Sequence, residues 1–159
     1  MKRFITAAAL MLASVAGSVT AHEFEIGQLS IDHPMAFETI PTARAGAGYL
    51  SITNNGDTAD RLLEVRADYP KVGLHTVEEE DGVTKMIAMD SIEVPAGETI
   101  ELTPGGMHVM FMGLDGNRFE EGQVIPATLV FEHAGEIEVN FNVEARPAHG
   151  EEHDHGSAD

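Results

Sequence analysis

From Phe24 to Val143 the chain runs as short segments in which apolar and polar residues alternate, most of them closed by a turn signal. A period of two puts successive side chains on opposite faces of a strand, whereas a helix needs apolar residues three and four apart. The segments are Phe24–Ile31, Ala47–Asn54, Arg61–Arg66, Val72–Val77, Val83–Met89, Ile92–Val94, Thr99–Thr103, His108–Leu114, Val124–Glu132 and Glu136–Val143. Asn54-Asn55-Gly56-Asp57, Asp81-Gly82, Pro95-Ala96-Gly97, Pro104-Gly105-Gly106, Asp115-Gly116-Asn117 and Ala134-Gly135 punctuate them. So many short strands at this spacing predict an all-β domain, an antiparallel β-sandwich or a Greek-key barrel. No glycine-rich phosphate loop interrupts the pattern, so nothing points to a nucleotide site.

The two ends have a different character. Lys2 and Arg3 precede a small-residue apolar run, Phe4 to Ala16, that is short for a bilayer span. Val19-Thr20-Ala21 then has the small-x-small form of a cleavage site, so residues 1–21 are expected to be a signal peptide. The mature chain would begin at His22 in the periplasm or another exported space. The folded β-sandwich domain would occupy 22–145, and 146–159 would be a tail. That tail carries His149, His153 and His155 among acids and no large apolar residue, so disorder is expected there.

Composition removes whole classes of chemistry. The 159 residues include no Cys, which excludes disulfides, thiolate zinc sites, iron–sulfur clusters, cysteine nucleophiles and the blue-copper centre. A net charge of −18 argues against nucleic acid or an anionic membrane surface as a partner. What is left for chemistry is 8 His and 8 Met.

Two groups of these residues stand out. Asp81-Gly82 reads as a two-residue hairpin loop, which pairs Glu80 with Val83 and His75 with Ala88. Met86 then shares a face with His75 as its diagonal cross-strand neighbour. In His108-Val109-Met110, period two puts His108 and Met110 on one face. Two imidazoles and two thioethers suit Cu(I), suit zinc poorly, and suit calcium or magnesium worse. Met also fills gaps in cores, and a core-facing His is commonly a satisfied polar group, so the spacing by itself leaves both readings open.

His75, ten residues, Met86, twenty-one residues, then His108-Val109-Met110 resembles the motif of the periplasmic copper chaperone family PCu(A)C. The surroundings resemble it too: Gly48-Tyr49-Leu50-Ser51-Ile52-Thr53-Asn54, Asp81-Gly82-Val83-Thr84-Lys85-Met86, and Leu102-Thr103-Pro104-Gly105-Gly106-Met107-His108-Val109-Met110. The resemblance spans about Ile26 to Val143. It implies a cupredoxin-like sandwich that binds Cu(I) and passes it to copper oxidase centres or another copper chaperone. By position, the implied ligands are His75, Met86, His108 and Met110. It also implies that tail histidines of this kind can offer a further copper site, including for Cu(II).

Two positions depart from the family pattern. Thr76 stands where members often have Met, and Met35-Ala36-Phe37 stands where they often have an aromatic-basic pair that would serve a partner contact. Met112 shares the face of His108 by parity but lies farther from the turn, and core packing is expected of it; Met89 falls on the face opposite Met86. His33 and His133 are expected at the surface. Two other functions remain open: a copper oxidase or monooxygenase using the freed amine and ring of His22, and a passive copper buffer dominated by the tail. The acids read as a solvated face, with no paired carboxylates or nucleophile–base pair, so a non-enzymatic protein is expected.

Overall fold

The computed structural model describes residues 23–147. The expected signal peptide at 1–21, His22, and residues 148–159 with their three histidines lie outside the described residues. The eleven strands are β1 (Glu23–Ile26), β2 (Leu29–Phe37), β3 (Ala45–Asn54), β4 (Asp60–Ala67), β5 (Lys71–Glu80), β6 (Val83–Met89), β7 (Ile92–Val94), β8 (Thr99–Leu102), β9 (His108–Met112), β10 (Val124–Phe131) and β11 (Gly135–Glu144).

The alternation of the sequence becomes the two faces of a sheet. Along β3, Gly46, Gly48, Leu50, Ile52 and Asn54 are buried, and the residues between them face outward. The strands run in the order β6-β5-β9-β3-β2-β11-β10-β4-β7, with β1 added to β2 and β8 to β3. Phe111 on β9 and Phe141 on β11 are separated by two strands in that order, yet their rings are 5.6 Å apart, edge to face. The sheet therefore folds over on itself around one core, as an all-β, cupredoxin-like sandwich. Phe111, Phe119 and Phe141 form the centre of that core and are fully buried. The glycines of β3 make room for them: a Cβ on Gly48 would sit 2.9 Å from both Phe111 and Phe141.

Two details differ from the sequence expectation. The segment Phe24–Ile31 is not one strand but a hairpin, with Ile26 paired to Leu29 across Gly27-Gln28. Gly27 has φ +59°, which a residue without Cβ adopts at no steric cost. The sheet is also not wholly antiparallel, because β11 lies parallel to β2 from Asn142↔Met35 to Glu144↔Phe37. An irregularity at His33, φ +47°, bends β2 so that its first half pairs with β1 and its second half with β11.

At the far end of β3 the buried polar groups are fully partnered. Asn54 gives its amide to the carbonyls of Thr58 and Val94 and accepts from the N–H of Gly56. Asp60 accepts from the backbone N–H groups of Arg61 at 2.7 Å, His133 at 3.0 Å and Ala134 at 2.9 Å. These bonds tie the start of β4 to the β10–β11 turn.

Candidate metal centre

The β5–β6 hairpin has the register read from its turn. Glu80 pairs with Val83, His75 with Ala88, and Val77 with Met86. Asp81 and Gly82 both have positive φ, the backbone that a two-residue hairpin loop of this twist requires. Its other neighbour could not be read from local sequence: β5 also pairs with β9, and His75 stands directly opposite His108. The two imidazoles stack with centroids 6.0 Å apart and planes 20° from parallel.

β9 divides its residues by parity. Val109 and Phe111 face the core, while His108, Met110 and Met112 face outward with His75. His108 is nevertheless only 3% exposed. Its Nδ1 lies 3.0 Å from the carbonyl of Gly106, which can only accept, so in the neutral ring Nδ1 carries the proton. Nε2 is then left as a lone pair. It is buried without a protein hydrogen-bond partner, as is Nδ1 of His75. Burying such atoms unpaired costs about 1–3 kcal/mol each. Two of them on facing rings are donors that a soft cation could satisfy.

Met110 lies opposite Gly73 on β5 and Ala47 on β3, so neither neighbouring strand crowds its thioether. Met86 sits on the edge strand, diagonal to His75, and is 60% exposed. Met86, His108 and Met110 share the wall of one pocket of about 430 Å³, which is also lined by Phe37, Tyr49 and Arg146. His75 is joined to this group through its pairing with His108. Burial pushes the Tyr49 phenol up from its ordinary pKa, and the nearby Arg146 guanidinium pulls it the other way.

The other candidates separate cleanly. Met112 does not pack into the core; it is half-buried on the outward face, between Ala45 and Lys71. The alternation of β9 outweighs the general tendency of Met to fill cores. Met89 lies on the opposite face from Met86 and packs against the core, as does Met107. His33 and His133 are exposed, beside Glu144 and Glu132 respectively. Among the described residues no three imidazoles or carboxylates converge on one point, so the acids build no oxygen-rich cation site.

Sequence reasoning passed over Gly106 and Arg146. Gly106 acts through its backbone carbonyl, which has no side-chain signal; the only cue was its place two residues before His108. The sequence expectation puts Arg146 in the tail, yet in the structure it lines the pocket with Phe37, where it supplies a basic group next to an aromatic one.

The chain is similar to several known proteins. A family model, LpqE-like ("Putative lipoprotein LpqE-like"), matches residues 29–143. A curated relative, "Putative lipoprotein Lxx21020" of Leifsonia xyli subsp. xyli, is 34% identical over 86 residues, which are 54% of this chain and 46% of that protein. The matched stretch thus spans about half the length of that relative. Among solved structures, the copper-bound PCuAC domain from PmoF2 is 30% identical with a TM-score of 0.65, covering 79% of this chain and 99% of that one. The apo PCuAC domain from PmoF1 is 28% identical with a TM-score of 0.67, covering 79% and 100%. With the family model spanning the strands from β2 to β11 and the fold matching over the whole of both domains, the chain belongs to the LpqE-like family, of the PCuAC type.

Proposed function

We propose that the protein is a copper chaperone that holds one Cu(I) and delivers it to a copper-receiving protein, an oxidase subunit or another copper chaperone. The observation that carries the reading is the pair of buried, unpartnered imidazole nitrogens on His75 and His108, set beside thioethers on the same face. Cu(I) prefers such soft and neutral donors. His108 would bind through Nε2, with Gly106 fixing its ring; His75 would bind through Nδ1; Met110 and Met86 would supply sulfur. The solved PCuAC domain from PmoF2 is copper-bound, which agrees with this reading. With no thiolate in the set, the ion is held more weakly than in a cysteine site and can be released by ligand exchange, without chemistry on a substrate. Relatives named as lipoproteins agree with export, and the expected signal peptide would direct the chain to the periplasm.

The test is an anaerobic competition titration of Cu(I) into the exported chain cut after Pro147, beside a variant in which His75, Met86, His108 and Met110 are all alanine. One equivalent bound by the parent and none by the variant supports the site. Equal affinity in the two overturns it.

A further inference from the structure

We infer that the pocket beside the candidate ligands is a docking site for a small anionic thiol, whose thiolate enters the copper coordination and carries the ion in or out. The inference rests on the copper reading above.

Access points to this side. His108 is buried, and its strand is flanked by β5 and β3, so no ligand approaches through the sheet. The open side is the pocket, where Ala45 and Ala47 leave a floor without bulk and Phe37 and Tyr49 make an aromatic wall, their rings 5.9 Å apart. A volume of about 430 Å³ is of small-molecule size.

Charge identifies the occupant. The chain has 9 Lys and Arg against 27 Asp and Glu, yet an arginine stands at this pocket. Among the described residues no carboxylate lies within ion-pair distance of the Arg146 guanidinium; the adjacent Glu38 is instead 3.3 Å from the Arg146 backbone N–H. A guanidinium that forms no ion pair among the described residues, at an apolar pocket, selects an anion, and a carboxylate is its natural partner. The copper face selects a soft donor. A molecule carrying both a thiol and a carboxylate meets the two demands at once.

The step balances without redox change. The thiol gives its proton to solvent, its sulfur bonds to Cu(I), and the bond from copper to the thioether of Met86 breaks. Met86 is the natural leaving ligand, because it is the most exposed of the four and stands on the edge strand. Copper remains Cu(I) throughout.

Glutathione serves as the probe. The full exported chain, with His149, His153 and His155 changed to alanine so that only the folded site loads, is charged with one Cu(I) anaerobically. Transfer to bathocuproine disulfonate is then followed by stopped flow. Glutathione should accelerate transfer with saturation, and NMR shifts should centre on Ala47 and Tyr49. S-methylglutathione, which lacks the thiol, should not accelerate it; cysteamine, which lacks the carboxylates, should do so only without saturation. Arg146→Glu should raise the half-saturating glutathione concentration by about tenfold or more, as expected when a charge-assisted contact becomes repulsion. Ala45→Leu, which fills the floor, should reduce the acceleration while Cu(I) affinity stays as in the parent. Linear acceleration by all thiols, unchanged in both variants, would overturn the inference and leave the copper reading intact. Failure of the chain to load Cu(I) at all would instead remove the copper reading on which it depends.

Discussion

Two buried polar corners of this sandwich meet opposite fates. Asp60 and His108 are 6% and 3% exposed, so both side chains are shielded from water. Asp60 receives three backbone N–H groups, and its whole acceptor face is used in joining β4 to the β10–β11 turn. His108 uses Nδ1 on Gly106 and leaves Nε2 bare, opposite a second imidazole with a bare nitrogen. A buried polar group that is fully partnered contributes to the fold; one left unpaired costs stability, and in the proposed function it is kept for the copper ion. Partnership, not burial, separates the structural corner from the chemical one.

The largest expected effect tests the structural corner. Asp60→Ala removes three bonds to a carboxylate and should lower the unfolding free energy by about 3 kcal/mol in urea denaturation. Cu(I) affinity of the folded protein should not change. A loss of copper as large as the loss of stability would mean that the two corners are coupled.

Next in size is His108→Ala. Cu(I) affinity should fall by about a hundredfold, equivalent to about 2.7 kcal/mol in a chelator competition. Stability without copper should fall less, by about 1 kcal/mol, because the lost Gly106 bond is offset by removal of an unpaired nitrogen. A stability loss as great as that of Asp60→Ala, with copper binding kept, would make His108 a structural residue after all.

The sulfurs sharpen the contrast further. Met110→Ala should weaken Cu(I) by about tenfold, close to 1.4 kcal/mol, and leave Cu(II) nearly unaffected, since thioethers favour the softer ion. Equal weakening of both ions would argue that Met110 only shapes the pocket. Smallest is the stability change in Met86→Ala: an exposed side chain on an edge strand should stay within about 0.5 kcal/mol by thermal or chemical denaturation.

Local chemistry made part of this legible. Asp81-Gly82 fixed the hairpin register, and with it the shared face of His75 and Met86, because a two-residue loop leaves no freedom in which residues pair. Parity likewise placed His108 with Met110 and put Met89 behind them. The meeting of His75 with His108 was not legible from spacing, since thirty-odd residues separate them and only the packing of β5 against β9 joins them; the family resemblance implied it. Nor did a local signal announce the parallel pairing of β2 with β11, which depends on the bend at His33. Met112 faces outward because the alternation of β9 decides its side, whatever the tendency of its residue type to fill cores. No local signal marks Asp60 either, as two of its three partners are backbone groups more than seventy residues away.

Met86 belongs to the outermost strand, and that location has a thermodynamic consequence. β6 is paired on one side only, and nearly all of its residues are exposed. Strand edges of this kind open locally at a free-energy cost well below that of global unfolding. A ligand mounted on such a strand is available only in the fraction of molecules whose hairpin is closed, and the apparent dissociation constant is the intrinsic one divided by that fraction. If Met86 ligates copper as proposed, residues that do not touch the metal, such as the Lys85–Glu80 pair near the hairpin tip, would tune copper affinity through the hairpin's closing equilibrium alone. Amide hydrogen exchange along Val83–Met89 would read that equilibrium directly, slowing on metal uptake, while the amides of β9 would be slow with or without it.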